Sequence, residues 1–202
     1  MNDSSNSQHS TPSFSRPLFI QMSGPPGSGK TTTANLLAQK IDAYAIPHDT
    51  IKSTLLEQGI PFDQASKVAY AMDWALADEA MKLRRNVILD STCNYNETLD
   101  QGHRLASKHH YCYWYIEIRA DMHHLELLDE RLKNRTPLRA QRTTIDALPS
   151  DAIHCGHITE DPKARFMNWM LNPCRPDDNT IVVSVEDSVA GRIASILAQL
   201  SG

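Results

Sequence analysis

Eight consecutive residues, Gly24-Pro25-Pro26-Gly27-Ser28-Gly29-Lys30-Thr31, constrain this chain more than any other stretch. They match G-x-x-x-x-G-K-[ST] in full, and they follow a short apolar run, Leu18 to Met22, that reads as a buried strand. A helical pattern begins directly after them, at about residue 30. The three glycines permit backbone torsions that turn successive N–H groups inward, making a concave anion site at the positive end of that helix. The motif therefore predicts phosphate binding by Gly24, Pro25, Pro26, Gly27, Ser28, Gly29, Lys30, Thr31 and the neighbouring Thr32. Lys30 should reach the outer phosphates, and the Thr31 hydroxyl should ligate Mg²⁺.

The rest of the chain repeats the strand-then-helix alternation that this loop begins. Helical patterns cover about 30 to 41, 50 to 58 and 63 to 84, with strands at about 43 to 47 and 86 to 90. Two further strands, 111 to 118 and 180 to 185, are rich in β-branched and aromatic residues. Helices separate them: one before 111, one at about 122 to 135, one at about 162 to 171 and a last at about 188 to 200. In the 162 to 171 helix Asp161 is placed as N-cap and Pro162 at the first helical position. Alternation of this kind predicts an α/β fold, a parallel five-stranded sheet with helices on both faces. Residues 1 to 16 carry six serines, two charges and no apolar period, and read as a disordered tail before a domain at 17 to 202.

Composition narrows the partners. Lys and Arg total 20 against 24 for Asp and Glu, a net charge of −4, which excludes a generally basic surface that coats nucleic acid. The four cysteines form no C-x-x-C pair, so neither a zinc ribbon nor a disulfide framework is expected. No apolar run reaches membrane-spanning length and no secretory pattern is readable, so the expected setting is cytoplasmic, with no membrane partner. His154-Cys155-Gly156-His157 offers three candidate ligands without a completing cluster and reads as loop. Trp74, Trp114 and Trp169 are read as packing residues.

Two carboxylates extend the phosphate loop. Val87-Ile88-Leu89-Asp90 is an apolar strand ending in an acid, suited to holding Mg²⁺ directly or through water. Asp49 follows the 43 to 47 strand, so it lies at the carboxyl edge of the sheet, where it can accept a hydroxyl proton or cap the next helix.

Gly24 to Thr32, His48-Asp49-Thr50-Ile51-Lys52 and Leu89-Asp90-Ser91-Thr92-Cys93-Asn94 together resemble the small P-loop kinases related to polynucleotide 5′-hydroxyl kinase, zeta toxin and gluconate kinase. The resemblance runs from about 18 to 186. It departs from the family at Lys52, where an arginine is usual, and at Cys93, which interrupts a D-x-T-N spacing. It implies a P-loop NTPase fold, ATP and Mg²⁺ as cofactors, and Asp49 as the base that orients a substrate hydroxyl, with Lys52 as a further acceptor contact.

Arg131-Leu-Lys133-Asn-Arg135-Thr-Pro-Leu-Arg139-Ala-Gln-Arg142 holds five basic residues and no acidic one in an otherwise acidic chain. Arg131 and Arg135 share a helix face, and Pro137 then forces a loop. The run reads either as a solvated helix end favoured by its dipole or as a lid over a nucleotide, spanning about 131 to 160. The resemblance favours the lid and implies Arg131 as the main phosphoryl-neutralising arginine, with Arg135 assisting. It also places adenine near the loop before the last strand, where Arg175 could stack on the base. The expected activity is transfer of the ATP γ-phosphoryl to a hydroxyl of a small molecule. The rivals are a polynucleotide 5′-hydroxyl kinase and a P-loop ATPase without an acceptor.

Overall fold

A computed structural model describes residues 14–153 and 160–201. Among them the sheet contains five strands, all parallel: β1 (Leu18–Ser23), β2 (Ala43–Pro47), β3 (Asn86–Asp90), β4 (Cys112–Arg119) and β5 (Thr180–Ser184), in the order β2-β3-β1-β4-β5. The helices are α1 (Lys30–Ile41), α2 (His48–Glu57), α3 (Phe62–Lys82), α4 (Asn96–His109), α5 (Leu125–Asn134), α6 (Pro162–Leu171) and α7 (Val189–Leu200). The expected helix at 122 to 135 is divided: a 3₁₀ turn, Met122–His124, precedes α5, and Asp121 caps that turn by accepting from His123 N–H. Asp161 caps α6 by accepting from Ala164 N–H, with Pro162 at its first position, as the sequence predicts.

Alternation along the central strands sends side chains into two cores. Leu18, Ile20 and Met22 of β1 meet Leu37 and Ile41 of α1, Leu128 of α5, Phe166 of α6 and Ile196 of α7. Phe19 points the other way, with Val87 and Leu89 of β3, into a core closed by Ala77 and Met81 of α3 and Leu99 and Leu105 of α4. Both faces are covered, which is why the strands read as continuous apolar runs. Phe14 packs against the first core, so ordered packing starts within the stretch read as a tail; residues 1–13, and the His154–His157 segment, lie outside the described residues. No helix is long and apolar enough to cross a membrane among the described residues.

The register sets the site. Ile20 pairs with Ile88 across β1 and β3, and Pro47 pairs with Asp90 across β2 and β3. The loop after β1, Asp90, and His48-Asp49 therefore emerge side by side at one edge of the sheet. The strand order changes direction at β1, and open α/β sheets bind ligands at such a switch point.

Candidate active site

The loop between β1 and α1 wraps the sheet edge. Gly24 and Gly27 have φ of +132° and +84°, and a Cβ on either would approach a carbonyl oxygen, Ile118 at 2.5 Å and Leu128 at 2.9 Å. Only glycine fits this close approach. Lys30 Nζ donates to the carbonyls of Gly24 at 2.8 Å and Pro25 at 3.3 Å, which puts the ammonium inside the loop's curve. Burial lowers its pKa, while Asp90 and Asp49 pull in the opposite direction. Beneath the loop, Arg192 of α7 is 2 % exposed and donates to the carbonyls of Ser28, Ser184 and Val185. The clamp leaves no mark in the sequence, because its partners are backbone carbonyls.

Above the loop opens a cleft of about 1390 Å³. It is lined by Pro26 to Thr32 of the loop, His48, Asp49 and Lys52 of α2, Asp90, and Arg131 and Arg135. Gly24 and Pro25 do not line it and serve through their carbonyls. Asp90 is buried, which raises its carboxyl pKa against a hydrogen bond from the Thr31 hydroxyl and the charge of Lys30. A hydroxyl and a desolvated carboxylate side by side form the partial oxygen set that Mg²⁺ takes from P-loop proteins, the remaining ligands being phosphates and water.

Asp49 lies in the first turn of α2, not at its N-cap; the cap position is Pro47 and no side chain caps that end. Its Oδ2 instead accepts from Gln141 Nε2 of the lid at 2.7 Å. Directly before it, His48 Nδ1 lies 2.6 Å from Asp73 Oδ2 of α3, and the imidazole stacks on Tyr70 with ring centroids 4.4 Å apart. Asp73 is fully buried; burial pushes its carboxyl pKa up, and His48 opposes the shift. Lys52 lies farther along α2 with Nζ 3.6 Å from the centre of the Phe62 ring. Past it the cleft continues between α2 and α3 along Ser66, Lys67 and Tyr70.

The two lid arginines separate. Arg135 lies within electrostatic reach of both Lys30 and Asp49, and its Nη2 donates to the Arg142 carbonyl at 2.8 Å. Arg131 turns to the far wall, with both terminal nitrogens 3.5 Å from the Val185 carbonyl. Both arginines line the cleft, and Arg135 is the one whose charge acts on Lys30 and Asp49. Arg142 is 5 % exposed and donates to the carbonyls of Ile145, Ala147 and Pro162, so it ties the segment after α5 to the start of α6. Burial lowers its pKa to about 10. Trp169, read as packing, lines the cleft beneath the Arg165 guanidinium, 4.6 Å from its ring centre.

Arg175, expected near a nucleotide base, is paired elsewhere. It does not line the cleft; its guanidinium grips Glu117 of β4, with Nη2 2.9 Å from Oε1 and Nε bonded to Oε2. Glu117 is 2 % exposed, and a buried carboxylate needs such a partner more than an aromatic base needs a stacking cation.

A family model described as an AAA domain matches residues 19–151, about two thirds of the chain. The chain belongs to this AAA-domain family. The match runs from β1 past α5 to residue 151, and α6, β5 and α7 complete the same sheet and its first core. Solved structures with the same fold include kinases. A gluconokinase from Sinorhizobium meliloti superposes with TM-score 0.57 at 18% identity, covering 92% of this chain and 92% of that one. A sugar kinase from Janibacter sp. gives 0.59 at 16%, covering 92% and 94%. The APS kinase of Mycobacterium tuberculosis, solved with AMPPNP and APS, gives 0.57 at 14%, covering 93% and 99%. At these identities the likeness shows a shared P-loop NTPase fold. No curated protein matches this AAA-domain chain significantly.

Proposed function

We propose that this protein is an ATP-dependent kinase that transfers the γ-phosphoryl group to a hydroxyl of a small-molecule acceptor. The observation that carries the reading is the extent of the cleft beyond the phosphate loop. At about 1390 Å³ it exceeds the roughly 300–1,000 Å³ of a pocket for one small ligand, and it runs past Asp49 to Lys52, Ser66 and Tyr70. An ATPase acting on water has no use for that extension. The gluconokinase, sugar-kinase and APS-kinase folds support the same class.

In this reading the loop amides and Lys30 hold the phosphates, and Thr31 and Asp90 would hold Mg²⁺, which supplies charge neutralisation across the β- and γ-phosphates when bound. An Asp49 oxygen accepts the acceptor's hydroxyl proton as the acceptor oxygen bonds to the γ-phosphorus, and the bond from that phosphorus to the β,γ-bridging oxygen breaks to release ADP. Arg135, with Arg131 behind it, offsets negative charge on the transferring group. The setting we propose is cytoplasmic.

The test is incubation with γ-labelled ATP against sugars, polyols, nucleosides, sulfated nucleotides and 5′-hydroxyl oligonucleotides. Label on a small hydroxyl compound supports the proposal. Label on oligonucleotides alone, or free phosphate alone, replaces it with one of the two rivals.

A further inference from the structure

In the segment Leu138 to Arg142, Arg139 and Arg142 tie the turn to Asp151 and to nearby carbonyls, while its uncharged members fasten it to α2. Gln141 N–H donates to the Leu138 carbonyl at 2.8 Å, and Leu138 N–H donates to Gln141 Oε1 at 3.1 Å. Because Oε1 is taken as an acceptor, the side-chain amide has one orientation, and Nε2 is the atom that donates to Asp49 Oδ2 at 2.7 Å. The neighbouring Ala140 N–H donates to Ser53 Oγ at 2.9 Å. Asp49 and Ser53 are four apart in α2, on one face, so the turn grips that face at two points. From its other side the same turn offers the Arg142 carbonyl to Arg135. One five-residue turn thus touches the acceptor-side carboxylate, the helix that carries it, and the arginine on the phosphoryl side.

We infer that Gln141 is a positioning residue for Asp49, and that the turn is a latch that orients Asp49 and Arg135 together when the lid is docked. The inference rests on the reading of Asp49 as the proton acceptor. A carboxylate in the first turn of a helix keeps torsional freedom about both side-chain bonds; the Gln141 bond removes it and leaves Oδ1 for the acceptor hydroxyl. With the latch undone, neither the base nor the arginine is held at the transfer point. Phosphoryl transfer then depends on lid docking through named hydrogen bonds, beyond simple exclusion of water.

Two measurements on the full chain test this. Hydrogen exchange with Mg·AMPPNP bound reads the 138–142 peptide, where the Ala140 amide reports the latch directly. Turnover is read with the acceptor that the labelled-ATP screen returns, or as phosphate release where water is the only acceptor. Gln141→Glu is isosteric but cannot donate, and Ser53→Ala removes the second grip; each should speed exchange about 10-fold or more. Gln141→Glu should also lower kcat about 10-fold or more while KM for ATP stays within about twofold. The exchanged pair Asp49→Asn with Gln141→Glu restores a donor and acceptor in reverse, so protection returns while turnover stays lost. Unchanged exchange in Gln141→Glu and Ser53→Ala overturns the latch. Full kcat in Gln141→Glu beside an inactive Asp49→Asn overturns positioning alone. Full turnover in Asp49→Asn overturns the base reading, and the positioning role with it.

Discussion

Lys30 and Asp90 are each held in a state that a ligand would relieve. Burial works against the charge on both, lowering the lysine pKa and raising that of the aspartate, and each only partly compensates the other. Bound phosphates would supply the counter-charge for Lys30, and a divalent cation would do so for Asp90. Lys30→Met is therefore expected to weaken nucleotide binding about 100-fold or more while leaving far-UV circular dichroism and the melting profile intact, since it removes a desolvated charge outside the core. Titration with a fluorescent ATP analogue checks it, and near-normal affinity would sink the phosphate-loop assignment. Asp49→Asn is expected to keep nucleotide affinity, because Asn Oδ1 still accepts from Gln141, and to lower transfer about 10²-fold or more. Arg135→Ala is expected to cost more in kcat than Arg131→Ala, whose guanidinium is directed to the Val185 carbonyl.

Between elements, what could be read in the sequence depended on whether the signal was local. The strand, loop and first helix were legible because an apolar run, three glycines and Lys-Thr lie within fifteen residues, and the ends of β2 and β3 placed Asp49 and Asp90 correctly by their order alone. Gln141 was not legible: its partner is 92 positions away, and an uncharged loop residue has neither period nor charge contrast. The pairing of His48 with Asp73 was hidden for the same reason, the two being 25 apart on different helices. The Arg175–Glu117 pair was not legible either: the two are 58 positions apart, and only the sheet's pleat turns Glu117 of Tyr-Ile-Glu-Ile-Arg toward Arg175 and Arg119. Two element-level predictions follow from these contacts. Arg192→Ala strands three carbonyls that join α7 to the phosphate loop and the end of β5, and should cost roughly 2–4 kcal/mol in urea unfolding and weaken nucleotide binding. For Glu117, burial pushes the carboxyl pKa up, but Arg175 and Arg119 outweigh it and hold the group below its ordinary value. A depressed carboxyl contributes stability that is present above about pH 4.3 and is lost as pH falls through the lower folded value. Glu117→Gln should therefore lower the urea midpoint at pH 7 and narrow the gap to wild type as pH falls below about 4. An equal gap at both pH values would show that the pair contributes packing and not charge.

For the whole molecule, an acidic chain, net charge −4, carries a cleft lined by eight Lys and Arg against six Asp and Glu, the reverse of the chain's own balance. Cations gathered at the loop end of such a cleft would favour an anionic nucleotide there. The cations divide by position. Lys30, Arg131 and Arg135 surround the phosphate end, and Arg192 spends its donors on backbone carbonyls. Among the described residues, the lysines lining the acceptor end are Lys52 and Lys67, with Lys52 drawn over Phe62. Two lysines could contact at most about two phosphates, whereas a protein tracking a polynucleotide strand neutralises several along a groove. Single-stranded binding loses affinity with a log–log salt slope of about −0.7 per neutralised phosphate, so two contacts give about −1.4 and four give about −2.8. The expected outcome is that transfer to a small hydroxyl acceptor changes little between 50 and 200 mM salt once ATP is saturating. Any transfer to a 5′-hydroxyl oligonucleotide should show a slope no steeper than about −1.4 in kcat/KM. Efficient labelling of long oligonucleotides with a slope near −2.8 or steeper would mean that a strand runs beyond the cleft, and would replace the small acceptor with a polynucleotide end.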